Sequence, residues 1–186
     1  MSGAVNDTHK LSRFESVVLV HLDAAYNLAR WLTRDASGAD DAVQDACLRA
    51  YRFFDSQQGP SPKAWFMAVV RNACLDWLKD QRVRGADESY DEHLHAANNL
   101  PQFSSALELP EAAAARTAEA RWLHEGLAAL PREHREVLIL RELEELSYKE
   151  ISEIVGVPMG TVMSRLSRGR DLLQQRLRQS RERKRS

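Results

Sequence analysis

The 186-residue chain is 44% hydrophobic and 28% charged, with a formal net charge of −1. These ordinary globular proportions exclude wholesale disorder and a collagen-like fold. The lack of any apolar run near ~18 residues excludes a membrane-spanning helix and hence membrane insertion.

The stretch Met1–Lys10 is polar and lacks the apolar core and cleavage site of a secretory signal, so the expected location is cytoplasmic. Cys47 and Cys74 stand in separate helical patterns without CxxC spacing, so no disulfide or zinc site is expected. The near-neutral total hides an uneven distribution. From Ala86 to Ala115 there is no Lys or Arg, only acids such as Asp87, Glu88, Asp91, Glu92, Glu108 and Glu111. From Gly160 onward arginines dominate, opposed by Asp171 and Glu182 alone. An acidic middle therefore joins two more basic ends suited to phosphate contact.

Aliphatic residues recur at helical spacing along the chain, with no alternating β-branched run, so the fold class is all-α. A first helix is predicted over about Leu11–Thr33, broken by Asp35-Ala-Ser-Gly38, and a second over about Ala39–Asp55. Gln57-Gln-Gly-Pro-Ser-Pro62 is a turn that no helix crosses. A third helix follows to about Arg84, with Gly85 placed to end it. Ala86 to about Pro110 reads as a linker. Helices resume over about Glu111–Ala129, Pro131–Glu145, Ser147–Val155 and Pro158–Gln179, with a frayed tail beyond. Two small helical domains joined by an acidic linker result: residues 1–85 and 116–186, with 86–115 between.

The last two helices are the most informative. Ser147 and Glu150 have the spacing of a capping box. Ile151, Ile154 and Val155 form an apolar face, Gly156 permits a sharp exit, and Pro158 presets the next helix. This is the helix-turn-helix plan. In the second helix Val162, Leu166, Gly169 and Leu173 share an inward stripe, while Thr161, Ser164, Arg165 and Arg168 share another. Short hydroxyls and guanidinium groups on one face are suited to phosphates and to guanine edges in a major groove. An ordinary solvated basic face is the competing reading.

Nearer the N-terminus, Asp41, Gln44, Asp45 and Leu48 lie on one helical face beside a packing stripe of Val43, Cys47, Ala50 and Phe54. A leucine exposed among acids and amides fits a protein interface better than plain solvation. In the third helix Phe66, Val70, Ala73 and Trp77 make a packing stripe and Asn72, Asp76 and Lys79 a polar one, with Arg71, Arg82 and Arg84 adding positive charge. Such amide, aromatic and guanidinium groups beside a Pro/Gly turn are able to hold an unstacked base. Trp65 and Trp77 read as core in preference to base platforms.

Leu138-Ile-Leu-Arg-Glu-Leu-Glu-Glu-Leu-Ser-Tyr-Lys-Glu-Ile151 and Gly156-Val-Pro-Met-Gly-Thr-Val-Met-Ser-Arg-Leu-Ser-Arg-Gly-Arg170 resemble region 4 of bacterial extracytoplasmic-function (ECF) sigma factors, in the sigma-70 family. Ala39–Tyr51 resembles their region 2.2, and Ala64–Arg84 their regions 2.3 and 2.4. The resemblance spans about Leu11–Arg84 and Thr117–Arg178. It implies an alternative sigma factor that binds core RNA polymerase at the β′ clamp and the β flap, recognises the promoter −35 and −10 elements and promotes melting. The polymerase contacts implied are Asp40, Asp41, Gln44, Asp45, Leu48 and Arg49. The single-stranded −10 contacts implied are Asp55, Lys63, Arg71, Asn72, Lys79, Arg82 and Arg84. The −35 contacts implied are Ser147, Tyr148, Lys149, Thr161, Ser164, Arg165, Arg168 and Arg170. Met163 departs from the family, which usually carries Lys or Arg there. An anti-sigma factor is an implied partner, and the linker acids are expected to mimic nucleic acid in a basic polymerase channel.

No catalytic constellation, metal-ligand set or cofactor site is expected; His93 and His95, for instance, cannot share a helix face. A dimeric helix-turn-helix regulator acting without polymerase, and an adaptor that binds only proteins, remain as alternatives from the residues.

Overall fold

The computed structural model describes residues 2–56, 61–87 and 120–185. The predicted linker lies almost wholly outside them, as does the Gln57–Pro60 part of the turn. Among the described residues the chain is helical, in two lobes.

In the N-terminal lobe, α1 (Ser2–Val17) leads through a 3-10 turn, Leu19–His21, into α2 (Leu22–Thr33). The predicted first helix is therefore two. Its aliphatic pattern runs unbroken through Val17-Val-Leu-Val20, so the break is invisible in hydrophobicity. Arg34 ends α2 in the left-handed region at φ 60°, and Asp35 caps α3 (Ala36–Phe53) by accepting from Gly38 N at 2.6 Å. The predicted breaker thus shrinks to Arg34-Asp35. A 3-10 turn, Phe54–Ser56, closes α3. The helix α4 (Pro62–Asp87) runs on through Gly85. Ala25, Leu28 and Ala29 of α2, Ala39, Ala42 and Ala46 of α3, and Phe66, Met67 and Val70 of α4 are buried together. The alanines let these helices approach closely. Phe14 of α1 meets Tyr51 and Phe54 edge-on, at 5.3 and 5.5 Å between ring centres. Trp77 packs across the bare face of Gly38, where an added Cβ would lie 2.3 Å from Cζ2.

The C-terminal lobe begins with α5, over residues 120–128, then α6 (Arg132–Leu138). The expected continuation to Glu145 becomes a π turn, Ile139–Leu143, closed by Glu144 N donating to Ile139 O at 3.1 Å. Next come α7 (Tyr148–Val155) and α8 (Met159–Arg185). The helix α8 runs on into the tail expected to fray, whose Arg, Glu and Lys residues are strong helix formers. Val137, Ile139, Leu140, Ile151, Val162 and Leu166 form this lobe's core. Gly169 lets α8 cross close to Leu138 and His134 of α6.

The lobes pack on each other: α4 lies against α7, and α2 against α6 and the π turn.

Candidate nucleic-acid and polymerase interface

The helix-turn-helix is fixed by local chemistry. Ser147 Oγ accepts from Glu150 N at 3.3 Å, and Glu150 Oε2 accepts from Ser147 N at 2.9 Å, so the capping box is complete. Ser147 and Ser61 hydroxyls hold the Glu150 carboxyl below its usual range, against a smaller opposing effect of burial. Gly156 exits α7 at φ 69°, a conformation costly for any residue with a Cβ. Ser152 Oγ donates to Val157 O at 2.6 Å and ties the turn back.

On α8, Val162 and Leu166 are buried while Ser164 and Arg168 are exposed and Thr161 and Arg165 half-buried. The predicted reading face is therefore presented outward as one patch, with Met163 44% exposed in its midst. Ser164 Oγ donates to Thr161 O at 3.0 Å, which leaves its lone pairs available. Ser147 and Lys149 are also exposed. Tyr148 sits half-buried, 5.1 Å under the Arg141 guanidinium. Arg170 is tied to Glu142 at 2.7 Å, which raises its pKa further and makes it a brace of the lobe.

On α3, Asp40, Asp41 and Gln44 are exposed, and Leu48 is 65% exposed. Asp45 and Arg49 are held in the protein: Arg49 pairs with Asp45 at 2.6 Å and with Asp76 of α4 at 2.8 Å. The hydrogen bond from Arg49 is the main reason the Asp76 carboxyl sits below its usual range. Beside Leu48 the surface opens into an apolar groove of about 640 Å³, lined by Leu11, Leu22, Tyr26, Val43, Cys47 and Tyr51 among others. The sequence reading missed this groove. Its signal was the pair Leu22 and Tyr26, one helical turn apart on α2.

The −10 candidates divide. Asn72, Lys79, Arg82 and Arg84 are exposed along α4. Asp55 is exposed but paired with Lys10 at 2.8 Å. Lys63 and Arg71 instead face the other lobe. Lys63 Nζ lies 3.2 Å from Glu144 Oε2 and donates to Glu144 O at 2.8 Å, and Arg71 Nε donates to Glu136 Oε1. Burial and the Lys63 charge lower the pKa of neighbouring His21, while Glu144 opposes them.

Trp77 is packing, as its residue pattern implied. Both cysteines are free. Burial, with Glu136 nearby, pushes the Cys74 thiol up to about 12. Among the described residues no His, Cys, Asp and Glu group is placed to hold a metal ion, and no helix is long and apolar enough to cross a membrane.

Comparison with known proteins extends the reading. The family model described as Sigma-70 region 2 matches residues 17–84, and that described as Sigma-70, region 4 matches residues 120–173. The chain is 28% identical to the ECF RNA polymerase sigma factor SigW of Bacillus subtilis, over 89% of each chain. It is 30% identical to the RNA polymerase sigma-H factor of Pseudomonas aeruginosa, over 88% of this chain and 86% of that one. Among solved structures, the sigma factor RpoE in complex with the anti-sigma factor NepR from Bartonella quintana superposes with a TM-score of 0.67 at 29% identity, covering 89% of this chain and 96% of that one. CnrH in complex with the cytosolic domain of CnrY shares the fold, with a TM-score of 0.59 at 21% identity, covering 92% and 91%.

Proposed function

The chain belongs to the ECF sigma factors of the sigma-70 family, and we propose how its surfaces divide the work of an alternative sigma factor. Residues 1–85 form region 2. The exposed α3 face of Asp40, Asp41, Gln44 and Leu48, continued by the apolar groove, docks on the β′ clamp of core polymerase. The exposed Asn72, Lys79, Arg82 and Arg84 of α4 hold the melted −10 strand, joined by Lys63 and Arg71 once these are released. Residues 116–186 form region 4, which meets the β flap and reads the −35 duplex with Thr161, Ser164, Arg165 and Arg168. Residues 86–115 connect the two.

The observation that carries this is the outward patch on α8, set on a fully capped helix-turn-helix whose opposite face is buried. Rigid support of a short donor patch is what direct readout of a major groove requires. Energetically, region 4 anchors duplex DNA while region 2 captures unpaired bases. Unstacking costs a few kcal/mol per step. Stacking and hydrogen bonding to captured bases return roughly 1–3 kcal/mol each. No bond in the protein or DNA is broken, so the work is binding work. The similar RpoE structure is a complex with the anti-sigma factor NepR, which supports an anti-sigma partner for this chain and a cytoplasmic site of action.

Two variants separate the surfaces. Leu48→Asp places a charge at the centre of the polymerase face and should weaken capture by core enzyme roughly ten-fold or more. The double variant Arg165→Ala/Arg168→Ala should leave capture intact and remove promoter selection, each lost contact being worth about 1–3 kcal/mol. Core capture indifferent to Leu48→Asp, or promoter selection indifferent to the arginine changes, would contradict the assignment.

A further inference from the structure

The outward face of α8 is divided along its length. Val162, Leu166 and Gly169 are buried, and the line opposite them is Gly160, Ser164 and Ser167, all exposed. A Cβ at Gly160 would meet nothing within 4 Å. The centre of the face is therefore small and open, and lets the helix axis come close to whatever it faces. Thr161, Arg165 and Arg168 flank this line on one side. Met159 and Met163, one helical turn apart, flank it on the other and are 47% and 44% exposed. Neither methionine belongs to the core, where α8 contributes Val162 and Leu166. Further along the methionine side, Arg170 is neutralised by Glu142 at 2.7 Å. One flank is thus cationic and rich in donors, and the other is apolar and uncharged.

A major groove about 12 Å wide admits a helix about 10–12 Å across, so both flanks of an inserted helix lie against its base edges and walls. The cationic flank suits guanine and phosphate. Methionine has no hydrogen-bond donor and only a weak acceptor, so the polar edges of guanine, cytosine and adenine offer it no complement. The C5 methyl of thymine does, and it is the only methyl group that the four bases display there. The unbranched, polarisable methionine chain adjusts to such a contact at little strain. The methionines stand within one helix breadth of Arg165 and Arg168, so one insertion brings both sets to the same few base pairs. A protein partner for the methionines would have to share that face with DNA.

We propose that Met163, supported by Met159, reads a thymine methyl in the −35 element and gives this chain a thymine preference beside the bases read by Arg165 and Arg168. The proposal rests on the assignment of α8 to the −35 duplex.

The test uses the chain assembled with core polymerase, and promoters selected from a pool randomised over the −35 element. Selected sites are remade with deoxyuridine for each thymine in turn, which removes the methyl group and nothing else. The wild-type holoenzyme should lose roughly three- to four-fold in promoter affinity at one thymine, the worth of one buried methyl group. Met163→Ala should bind the thymine promoter more weakly by a similar factor and be indifferent to the exchange. Met163→Arg, selected afresh from the pool, should lose the thymine preference at that position. Selected sites with no fixed thymine, a wild type indifferent to every deoxyuridine, or an equal loss in wild type and Met163→Ala overturns the methyl contact. Met163→Ala that weakens core capture in place of the methyl effect assigns the methionines to the polymerase and overturns it too. Arg165→Ala/Arg168→Ala in the same assay separates the two levels. Selection unchanged by the arginine variant overturns the assignment of α8, whereas selection lost by it with no deoxyuridine effect overturns only the reading by methionine.

Discussion

Ser147 works in both directions at once. Its oxygen accepts the amide of Glu150, and its hydroxyl and amide both reach the Glu150 carboxylate, at 2.6 and 2.9 Å. Ser147→Ala should cost about 1 kcal/mol, a fall in Tm of about 2–4 °C in a chain of this size. The pH dependence has a definite sign. The Glu150 pKa is depressed in the folded chain, chiefly by Ser147. Its contribution is therefore complete above the ordinary value of 4.5 and is lost as pH falls through the lowered folded value. The gap between wild type and Ser147→Ala in thermal melts should be constant from pH 7 down to about 5 and narrow below 4.5. A gap that widens in acid would contradict the capping account. This residue was legible in advance because a capping box is a pattern of four adjacent positions. The occupations of Lys63, Arg71 and Arg170 were not, because their partners stand 81, 65 and 28 residues away.

At the scale of elements, the contact of α3 with α4 turns on Gly38. A methyl group there would meet the Trp77 indole at 2.3–2.6 Å, so the ring or the helix would have to shift. Gly38→Ala should destabilise by about 1–3 kcal/mol, as overpacking does. Ser37→Ala, one position earlier and exposed, should leave the melt unchanged. Equal melts for the two variants would show that α3 does not rest on Trp77. The helices themselves were readable from period alone, since the apolar stripes Val43/Ala50/Phe54, Phe66/Val70/Ala73 and Val162/Leu166 are all buried. Their interruptions were not. The break at Val18–His21 keeps its aliphatic residues. The π turn after Leu138 depends on i→i+5 hydrogen bonding, such as that of Glu144 N to Ile139 O, which no composition announces. Gly85 sits inside α4 because a single glycine weakens a helix by only about 1 kcal/mol, which the packing of the preceding turns outweighs.

For the whole molecule, two lobes that each carry part of a promoter-reading apparatus are also each other's nearest ligand. The exposed α3 face proposed for polymerase and the α8 patch proposed for the −35 duplex lie away from the seam, whereas the N-terminal half of α4 lies in it. The two surfaces proposed to read DNA were visible in sequence as exposed faces because each is a local motif. The seam between them was not, since its chemistry depends on burial of Glu136 and Glu144 by residues from the opposite lobe. The most direct measurement is run-off transcription from a pooled promoter library, with purified bacterial core enzyme alone, this chain alone, and both together. The account predicts selected start sites with both together and none with either component by itself. Tight, selective promoter binding by the isolated chain, with no gain in selectivity by the core enzyme, would contradict it.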